Sequence, residues 1–150
     1  MSGMKFREIK ENKKQFLSLL LLADEQENMI DRYLEKGTMY VLDDNGVKAE
    51  CVVTDEGDGI LEIKNIATVP EYQGKGYAKA LIDFLVNEYA YKYSVLQVGT
   101  GDSPLTVPFY GKCGFVRSHI IPNFFTNNYD HPIFECGVKL TDMVIFQRNL

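Results

Sequence analysis

The chain has 150 residues, of which 45% are apolar and 25% are charged. These proportions are ordinary for a globular domain, and they exclude a disordered chain, a collagen-like repeat and a coiled-coil rod. The length is enough for one hydrophobic core and short for two. We therefore expect a single domain over residues 1–150.

The charge balance disfavours nucleic acid as a partner. Lys and Arg number 16 and Asp and Glu number 21, so the formal net charge is −5. Duplex-binding domains gather basic residues on one face, because neutralising phosphates drives their affinity. Here the positive residues are scattered, and the densest run is only Lys13-Lys14. A small anion held by backbone amides remains compatible with this composition.

The cysteines and the apolar runs indicate the compartment. Cys51, Cys113 and Cys136 are an odd number, widely spaced and without a CxxC pair. This usage is typical of a reducing environment and disfavours a disulfide scaffold or a structural zinc site. The longest apolar run, Leu19 to Ala23, is too short to cross a bilayer, and the N-terminus does not continue into a signal-peptide core. We expect a cytoplasmic protein with no membrane partner and no metal.

The first third of the chain mixes strand and helix patterns. Residues 5–9 predict a short strand, and the apolar side of residues 13–22 predicts a helix. A second helix is expected to begin at Asp24, with Glu27 as its capping-box partner, and to stop at Gly37.

The pattern then becomes strand-like. Three β-rich runs, at residues 38–42, 47–54 and 60–69, are separated by Asn45-Gly46 and by the turn at residues 55–59. This arrangement predicts an antiparallel meander.

The clearest helix begins after Gly74, with an apolar stripe from Ala78 to Tyr89. A strand at residues 94–98 follows it, which predicts a right-handed βαβ crossover. A short helix at residues 107–113 and two last strands, at 115–120 and 142–148, complete an α+β fold. We expect a mixed central sheet of six to seven strands flanked by about four helices.

One strand-to-helix junction carries a chemical signal. It reads Gln73-Gly74-Lys75-Gly76-Tyr77-Ala78. Its glycines let the backbone turn tightly with bare N–H groups, and the helix N-terminus adds partial positive charge, so the junction could hold a pyrophosphate. A glycine-rich turn without any ligand is the alternative interpretation. The P-loop pattern GxxxxGK[ST] is not met, and GxGxxG fails because position 79 is Lys.

The junction resembles the acyl-CoA loop of the GNAT superfamily of N-acetyltransferases, whose pattern Gln/Arg-x-x-Gly-x-Gly/Ala is met by Gln73, Gly76 and Ala78. The preceding residues 65–72 are similar to the fourth strand of that family. A second match, Phe109-Tyr110-Gly111-Lys112-Cys113-Gly114-Phe115, resembles its FYxKxGF segment. The resemblance covers nearly all of the chain. It implies the GNAT fold, acetyl-CoA as the cofactor and CoA as a product.

Further stretches resemble a subgroup of small bacterial GNAT enzymes that is sometimes labelled indoleacetate acetyltransferase. They are residues 99–103, 123–126 and 132–135. The resemblance implies direct acetyl transfer to an amine in a ternary complex. A non-catalytic acyl-CoA sensor and an interaction domain on the same fold are the rival interpretations.

The resemblance also assigns the cofactor contacts. It implies that the pantetheine arm lies along the fourth strand, where Ala67, Thr68 and Val69 offer backbone groups, and that the residues from Gly74 to Lys79 hold the pyrophosphate. Lys75 and Lys79 would assist with their side chains. Asp102 lies near a position where many members have an Asn that contacts the cofactor arm. An ionised Asp offers only acceptors, so Asp102 could instead cap the helix that begins near Pro104.

Two catalytic roles follow from the same resemblance. Tyr110 corresponds to the Tyr that donates a proton to the leaving thiolate. Glu62 lies 11 residues before Gln73, which resembles the placement of the general base in the histone-acetyltransferase branch. A base is useful because a free alkylamine has a pKa near 10.4 and is mostly protonated at neutral pH. If strand alternation holds, Glu62 shares one face with Lys64, Ile66 and Thr68. An exposed Glu paired with Lys64 is the alternative.

The acceptor amine is left open by the sequence. The net charge of −5 favours a cationic amine, whereas the aromatic stretch with Phe124, Phe125, Tyr129 and Phe134 favours an aromatic one. We expect a small-molecule or peptide amine as substrate, and a monomer or homodimer.

Overall fold

The computed structural model describes residues 3–150, which form two sheets. The main sheet has seven strands: β1 (Lys5–Ile9), β2 (Thr38–Asp43), β3 (Val47–Asp55), β4 (Ile60–Thr68), β5 (Val95–Gly101), β6 (Val116–Ile121) and β9 (Met143–Asn149). A short hairpin pairs β7 (Phe134–Glu135) with β8 (Val138–Lys139). The strand order of the main sheet is β1-β2-β3-β4-β5-β9-β6.

Five α-helices lie within the described range: α1 (Leu17–Ala23), α2 (Glu27–Ile30), α3 (Tyr77–Tyr89), α4 (Val107–Lys112) and α5 (Phe124–Asn128). Short 3₁₀ turns at Lys13–Phe16 and Pro70–Tyr72 precede α1 and the loop before α3. Between residues 3 and 150, no helix combines the length and apolar character needed to cross a membrane.

The pairing confirms the predicted topology. Strands β1 to β4 form an antiparallel meander, β4 and β5 are parallel, and β9 pairs antiparallel with both β5 and β6. A parallel pair needs a crossover connection, and α3 supplies it between β4 and β5.

Two apolar cores cover opposite faces of the sheet. On the first face, the stripe of α3 buries Leu81, Ile82 and Leu85 completely, together with Tyr110 of α4. On the second face, Leu20 of α1 and Ile30 of α2 are fully buried against the sheet. We refer to these as the α3/α4 face and the α1/α2 face.

The expected capping box at Asp24 is wrong. The residue preceding α2 is Gln26, which makes no side-chain capping bond, and α2 ends at Ile30 rather than near Gly37. The backbone of Asp24 is extended. Its carboxylate is unavailable for capping because it accepts hydrogen bonds from the hydroxyls of Tyr33 and Tyr129.

Strand alternation also fails within β4. Val53 pairs with Ile63 and Val52 with Asn65, so Lys64 is an extra residue that forms a β-bulge. A bulge reverses which side chains point to each face. Ile66 therefore packs into the α3/α4 core with Ile63, and Glu62 does not share its face with Ile66 and Thr68 as expected.

The segment between β6 and β9, for which the sequence predicted no helix or strand, contains regular elements. Residues 122–142 contain α5 and the β7–β8 hairpin. Phe125, Ile133 and Leu140 bury a small apolar cluster of their own. We call residues 122–142 the strap.

Candidate active site

Strands β4 and β5 separate in the middle of the sheet. They pair over four residue pairs, from Ile60–Val95 to Ile63–Val98. Beyond that point β4 continues to Thr68 against β3, and β5 continues to Gly101 against β9. Each strand thus has one unpaired edge that faces the other across a gap. Such edges are suited to pairing with the amides of an extended ligand.

The hydrogen bonds of the meander decide which β4 groups face the gap. The N–H of Val69 donates to the carbonyl of Lys48 at 2.8 Å, and its carbonyl accepts from the Tyr72 N–H at 2.9 Å. Antiparallel strands alternate the direction of their backbone groups. The groups of Ala67 therefore point toward β3, and those of Ile66 and Thr68 point into the gap. The expected backbone roles of Ala67 and Val69 do not fit, and the sequence analysis missed Ile66.

The glycine loop follows directly from the end of β4. Gly74 and Gly76 have φ angles of +79° and +87°, and a side chain added at either would meet nothing within 4 Å. Gly76 precedes α3 without any side-chain capping bond. The first-turn amides of this 13-residue helix are therefore free for an anion. Gln73 secures the loop, because its Nε2 donates to the Thr68 carbonyl at 3.3 Å.

The side chains around this loop have neighbours of their own. The Lys75 ammonium lies 5.5 Å from the centre of the Tyr72 ring. The Tyr77 hydroxyl donates to Asp44 at 2.7 Å, and Lys79 pairs with Asp83 at 2.9 Å. Ala78 lies in the first turn of α3. The space at the loop is therefore bordered by backbone and by cations at its rim.

Asp102 lies apart from the helix that it was expected to cap. The residue preceding α4 is Thr106. Asp102 instead forms an exposed ion pair with Arg117 at 3.2 Å. Its carboxylate is therefore engaged at the C-terminal end of β5.

Tyr110 has a buried side chain whose hydroxyl makes no hydrogen bond in the part of the chain that the structure describes. Its side chain is 6% exposed and packs edge-on against the ring of Phe115. Among residues 3–150 no group makes a hydrogen bond with its hydroxyl. Burial raises the pKa of Tyr110 above its ordinary value, so the hydroxyl keeps its proton at neutral pH. The arrangement provides a proton that can be donated.

Glu62 belongs to a polar row across the sheet, one residue pair before β4 and β5 separate. Its Oε1 accepts from Gln97 Nε2 at 2.6 Å, and its Oε2 lies 2.8 Å from the Lys64 ammonium. Gln147 in turn donates to Gln97 Oε1 at 2.8 Å. The expected Lys64 pair is present, but Glu62 is only 9% exposed. Gln97 and Gln147 were not predicted as neighbours of Glu62, because only the strand register aligns the three residues.

A second polar cluster lies on the α1/α2 face. Asn65 Nδ2 donates to the Tyr33 hydroxyl at 3.1 Å, and Tyr33 donates to Asp24 Oδ2 at 2.9 Å. The hydroxyl of Tyr129, in the strap, donates to Asp24 Oδ1 at 2.6 Å. This chain of hydrogen bonds connects β4 at the gap to a residue 105 positions away from Asp24.

Comparisons with known proteins agree with this architecture. A family model described as an acetyltransferase (GNAT) domain matches residues 35–117. The N-acetyltransferase YvbK of Bacillus subtilis (strain 168) is 34% identical over 137 residues, which cover 89% of this chain and 88% of that protein.

Solved structures are similar over the whole chain. A GNAT family acetyltransferase from Elizabethkingia anophelis with acetyl-CoA bound is 31% identical, with a TM-score of 0.93 and 100% of both chains covered. The IAA acetyltransferase from Bacillus cereus ATCC 14579 is 35% identical, with a TM-score of 0.90, 99% of this chain and 100% of that chain covered. Together with the family model, these matches confirm the resemblance, and the chain belongs to the GNAT acetyltransferase family.

Proposed function

We propose that the protein transfers the acetyl group of acetyl-CoA directly to an amine of a small molecule or peptide in a ternary complex. The observation that carries this proposal is the gap between β4 and β5, which opens beside a glycine loop at a free helix N-terminus. Support comes from the Elizabethkingia anophelis relative, whose structure contains acetyl-CoA.

The residues around the gap fit this cofactor. Space is open at Gly74 and Gly76, where side chains would obstruct a phosphate. The free edge of β4 at Ile66 and Thr68 would hold the pantetheine amides. The pyrophosphate contacts are assigned to the stretch from Gln73 to Lys79, with the Lys75 and Lys79 ammonium groups near its rim. When bound, acetyl-CoA supplies an activated thioester.

Two side chains would handle the protons. Glu62 would take a proton from the attacking amine, directly or through a water molecule, while Gln97 and Lys64 hold its carboxylate in place. Tyr110 would donate its hydroxyl proton to the departing sulfur. Its burial suits this role, since a raised pKa keeps the donor protonated.

The acceptor and the cellular compartment are also part of this proposal. The Bacillus cereus relative is named an IAA acetyltransferase, and the acceptor of this chain is proposed as an amine of a small molecule or peptide. The free thiols of Cys51, Cys113 and Cys136 fit a reducing cytoplasm.

The test is calorimetric titration with acetyl-CoA, followed by a screen of amines for release of free thiol. We expect saturable binding of acetyl-CoA and amine-dependent thiol release. Binding without release for any amine would favour an acyl-CoA sensor. Absence of binding by folded protein would favour an interaction domain and would overturn the proposal.

A further inference from the structure

Three buried acceptor atoms on the α1/α2 face have no donor. Both carboxyl oxygens of Glu50 and Oδ1 of Asn65 lack a hydrogen-bond partner, and within residues 3–150 they are the buried side-chain polar atoms in this condition. Glu50 is 0% exposed and Asn65 is 3% exposed. Buried polar groups in native proteins are normally satisfied. A donor is therefore missing from this place.

The strand register puts these atoms beside the gap. Glu50 pairs with Ala67 and Val52 with Asn65, so Glu50 and Asn65 are diagonal neighbours on one face of β3 and β4. Asn65 lies two residues beyond Ile63, the last β4 residue paired with β5. Asn65 Nδ2 also donates to the Leu20 carbonyl at 3.0 Å, which places its side chain against α1. The unsatisfied acceptors thus border the site of the proposed transfer.

Three cations of the surrounding elements are engaged with other groups. Lys13 donates to the carbonyls of Leu34 and Gly37, both at 2.8 Å. Arg32 donates to Asn128 at 3.0 Å, and Lys64 pairs with Glu62. The chain therefore brings acceptors together here without bringing donors to match them. An alkylammonium ion has three donors and no acceptor, which is the complement of this site.

Tyr129 connects the strap to Asp24 through its hydroxyl. The hydrogen bond from Tyr129 to Asp24 is one of several between the strap and the segment after α1. Asp130 N–H donates to Gln26 at 3.1 Å, and His131 lies 2.9 Å from Glu25. The two side chains that donate to Asp24 are uncharged hydroxyls, so a cation would bind its carboxylate more strongly than Tyr129 does.

We propose that Asp24, Glu50 and Asn65 form the binding site for the acceptor amine, which enters as an aliphatic ammonium ion and displaces the Tyr129 hydroxyl from Asp24. This inference rests on the proposed acetyl transfer and names its substrate class. It makes Asp24 a specificity-determining residue and Tyr129 a gate.

The experiment is calorimetric titration of 1,4-diaminobutane into the full chain saturated with CoA, which permits binding without turnover. The uncharged analogue 1,4-butanediol is the matched probe. We expect saturable binding of the diamine and none of the diol. Asp24→Asn should weaken diamine binding by about tenfold or more, because it removes the charge that faces the cation. Asp130→Asn, an equal charge change on the exposed surface of the strap, should leave it unchanged.

Tyr129→Phe gives a prediction of opposite sign. Losing the hydroxyl frees Asp24 Oδ1, so diamine binding should tighten by about two- to tenfold. The proposal is overturned by equal binding of the diamine and the diol, by equal effects of Asp24→Asn and Asp130→Asn, or by no binding of either. If Asp24→Asn does not fold, unchanged or weaker binding by Tyr129→Phe overturns it.

The two proposals fail separately. If the protein binds CoA but not the diamine, the ammonium site is contradicted and the proposed acetyl transfer is unaffected. Protein that does not bind CoA contradicts acetyl transfer. The same titration on the free protein then decides the ammonium site by itself.

Discussion

The two sides of the gap present polar groups of different kinds. On the α3/α4 face, the loop at Gly74 and Gly76 presents backbone amides, and the Tyr110 hydroxyl projects from an apolar core. On the α1/α2 face, the polar groups are side chains, including Asp24 and Asn65. Backbone recognition depends on a conformation and tolerates change in neighbouring side chains. Side-chain recognition changes with each substitution. The first side suits the cofactor of the proposed transfer, and the second suits its proposed acceptor.

The largest effect expected is from Gly76→Val. The added side chain would fill the open space at the loop, and the φ of +87° disfavours any residue with a Cβ. We expect loss of measurable CoA binding, with a stability cost of about 1–2 kcal/mol from the backbone conformation. Calorimetry and thermal unfolding report the two quantities.

The matched control for this prediction is Gly57→Val. Gly57 has a φ of +83° and equally open surroundings, but it lies in the turn between β3 and β4, away from the loop. It should lose similar stability and keep CoA affinity. Normal affinity in Gly76→Val would show that the cofactor side has been misidentified.

Tyr110→Phe should act on the rate alone. Because the hydroxyl has no partner among the described residues, its removal should leave stability and CoA affinity nearly unchanged. Loss of a general acid should lower kcat by about 10²-fold or more. Stopped-assay kinetics with any accepted amine measure this, and Tyr93→Phe, at a hydroxyl bound to Asp55, is the control. Full activity would make Tyr110 only a core residue.

Glu62→Gln should change the pH dependence of the rate. Gln can replace the hydrogen-bonding geometry at Gln97 but cannot accept a proton from the amine, so kcat should fall by about 10²-fold. The pH–rate profile of the variant should lack the limb that depends on a base in the wild-type enzyme. Glu56→Gln removes the other carboxylate near Lys64, at 3.8 Å, and should keep the profile. An unchanged pH–rate profile in Glu62→Gln would contradict the assignment of Glu62 as the base.

The smallest effect expected is on stability, from Glu50→Gln. Burial raises the pKa of Glu50 well above its ordinary value. A carboxyl whose folded pKa is raised favours folding below its unfolded pKa, and this contribution is lost as pH rises. The variant should therefore be more stable than wild type by about 1–3 kcal/mol near neutral pH.

The change of unfolding free energy with pH gives a second measurement of the Glu50 effect. Urea unfolding from about pH 5 to about pH 8 should show wild-type stability falling relative to Glu50→Gln. Asp24, whose pKa burial also raises, is present in both proteins, so the difference isolates Glu50. Parallel curves would contradict a protonated Glu50. A more stable variant that no longer binds the diamine would show that the acceptor side trades stability for function.

Much of the fold follows from local patterns. The apolar stripe of α3, the hairpin at Asn45-Gly46 and the β4–α3–β5 crossover were all predicted correctly, since each depends on residues close in sequence. The capping box at Asp24 failed for the opposite reason. Its carboxylate is taken by Tyr129, 105 positions away, and no local pattern contains that competitor.

The glycine loop was therefore predictable from the sequence itself. Glycine readily adopts the positive φ that other residues disfavour, so the turn at Gly74 and Gly76 could be identified without a structure. Tertiary structure decided the rest. The bulge at Lys64 sets which β4 side chains face α1. The register decides that the backbone groups of Ile66, rather than those of Ala67, face the gap. Pairing and packing bring distant residues together only once the whole sheet has formed, because register is a collective property of all its strands.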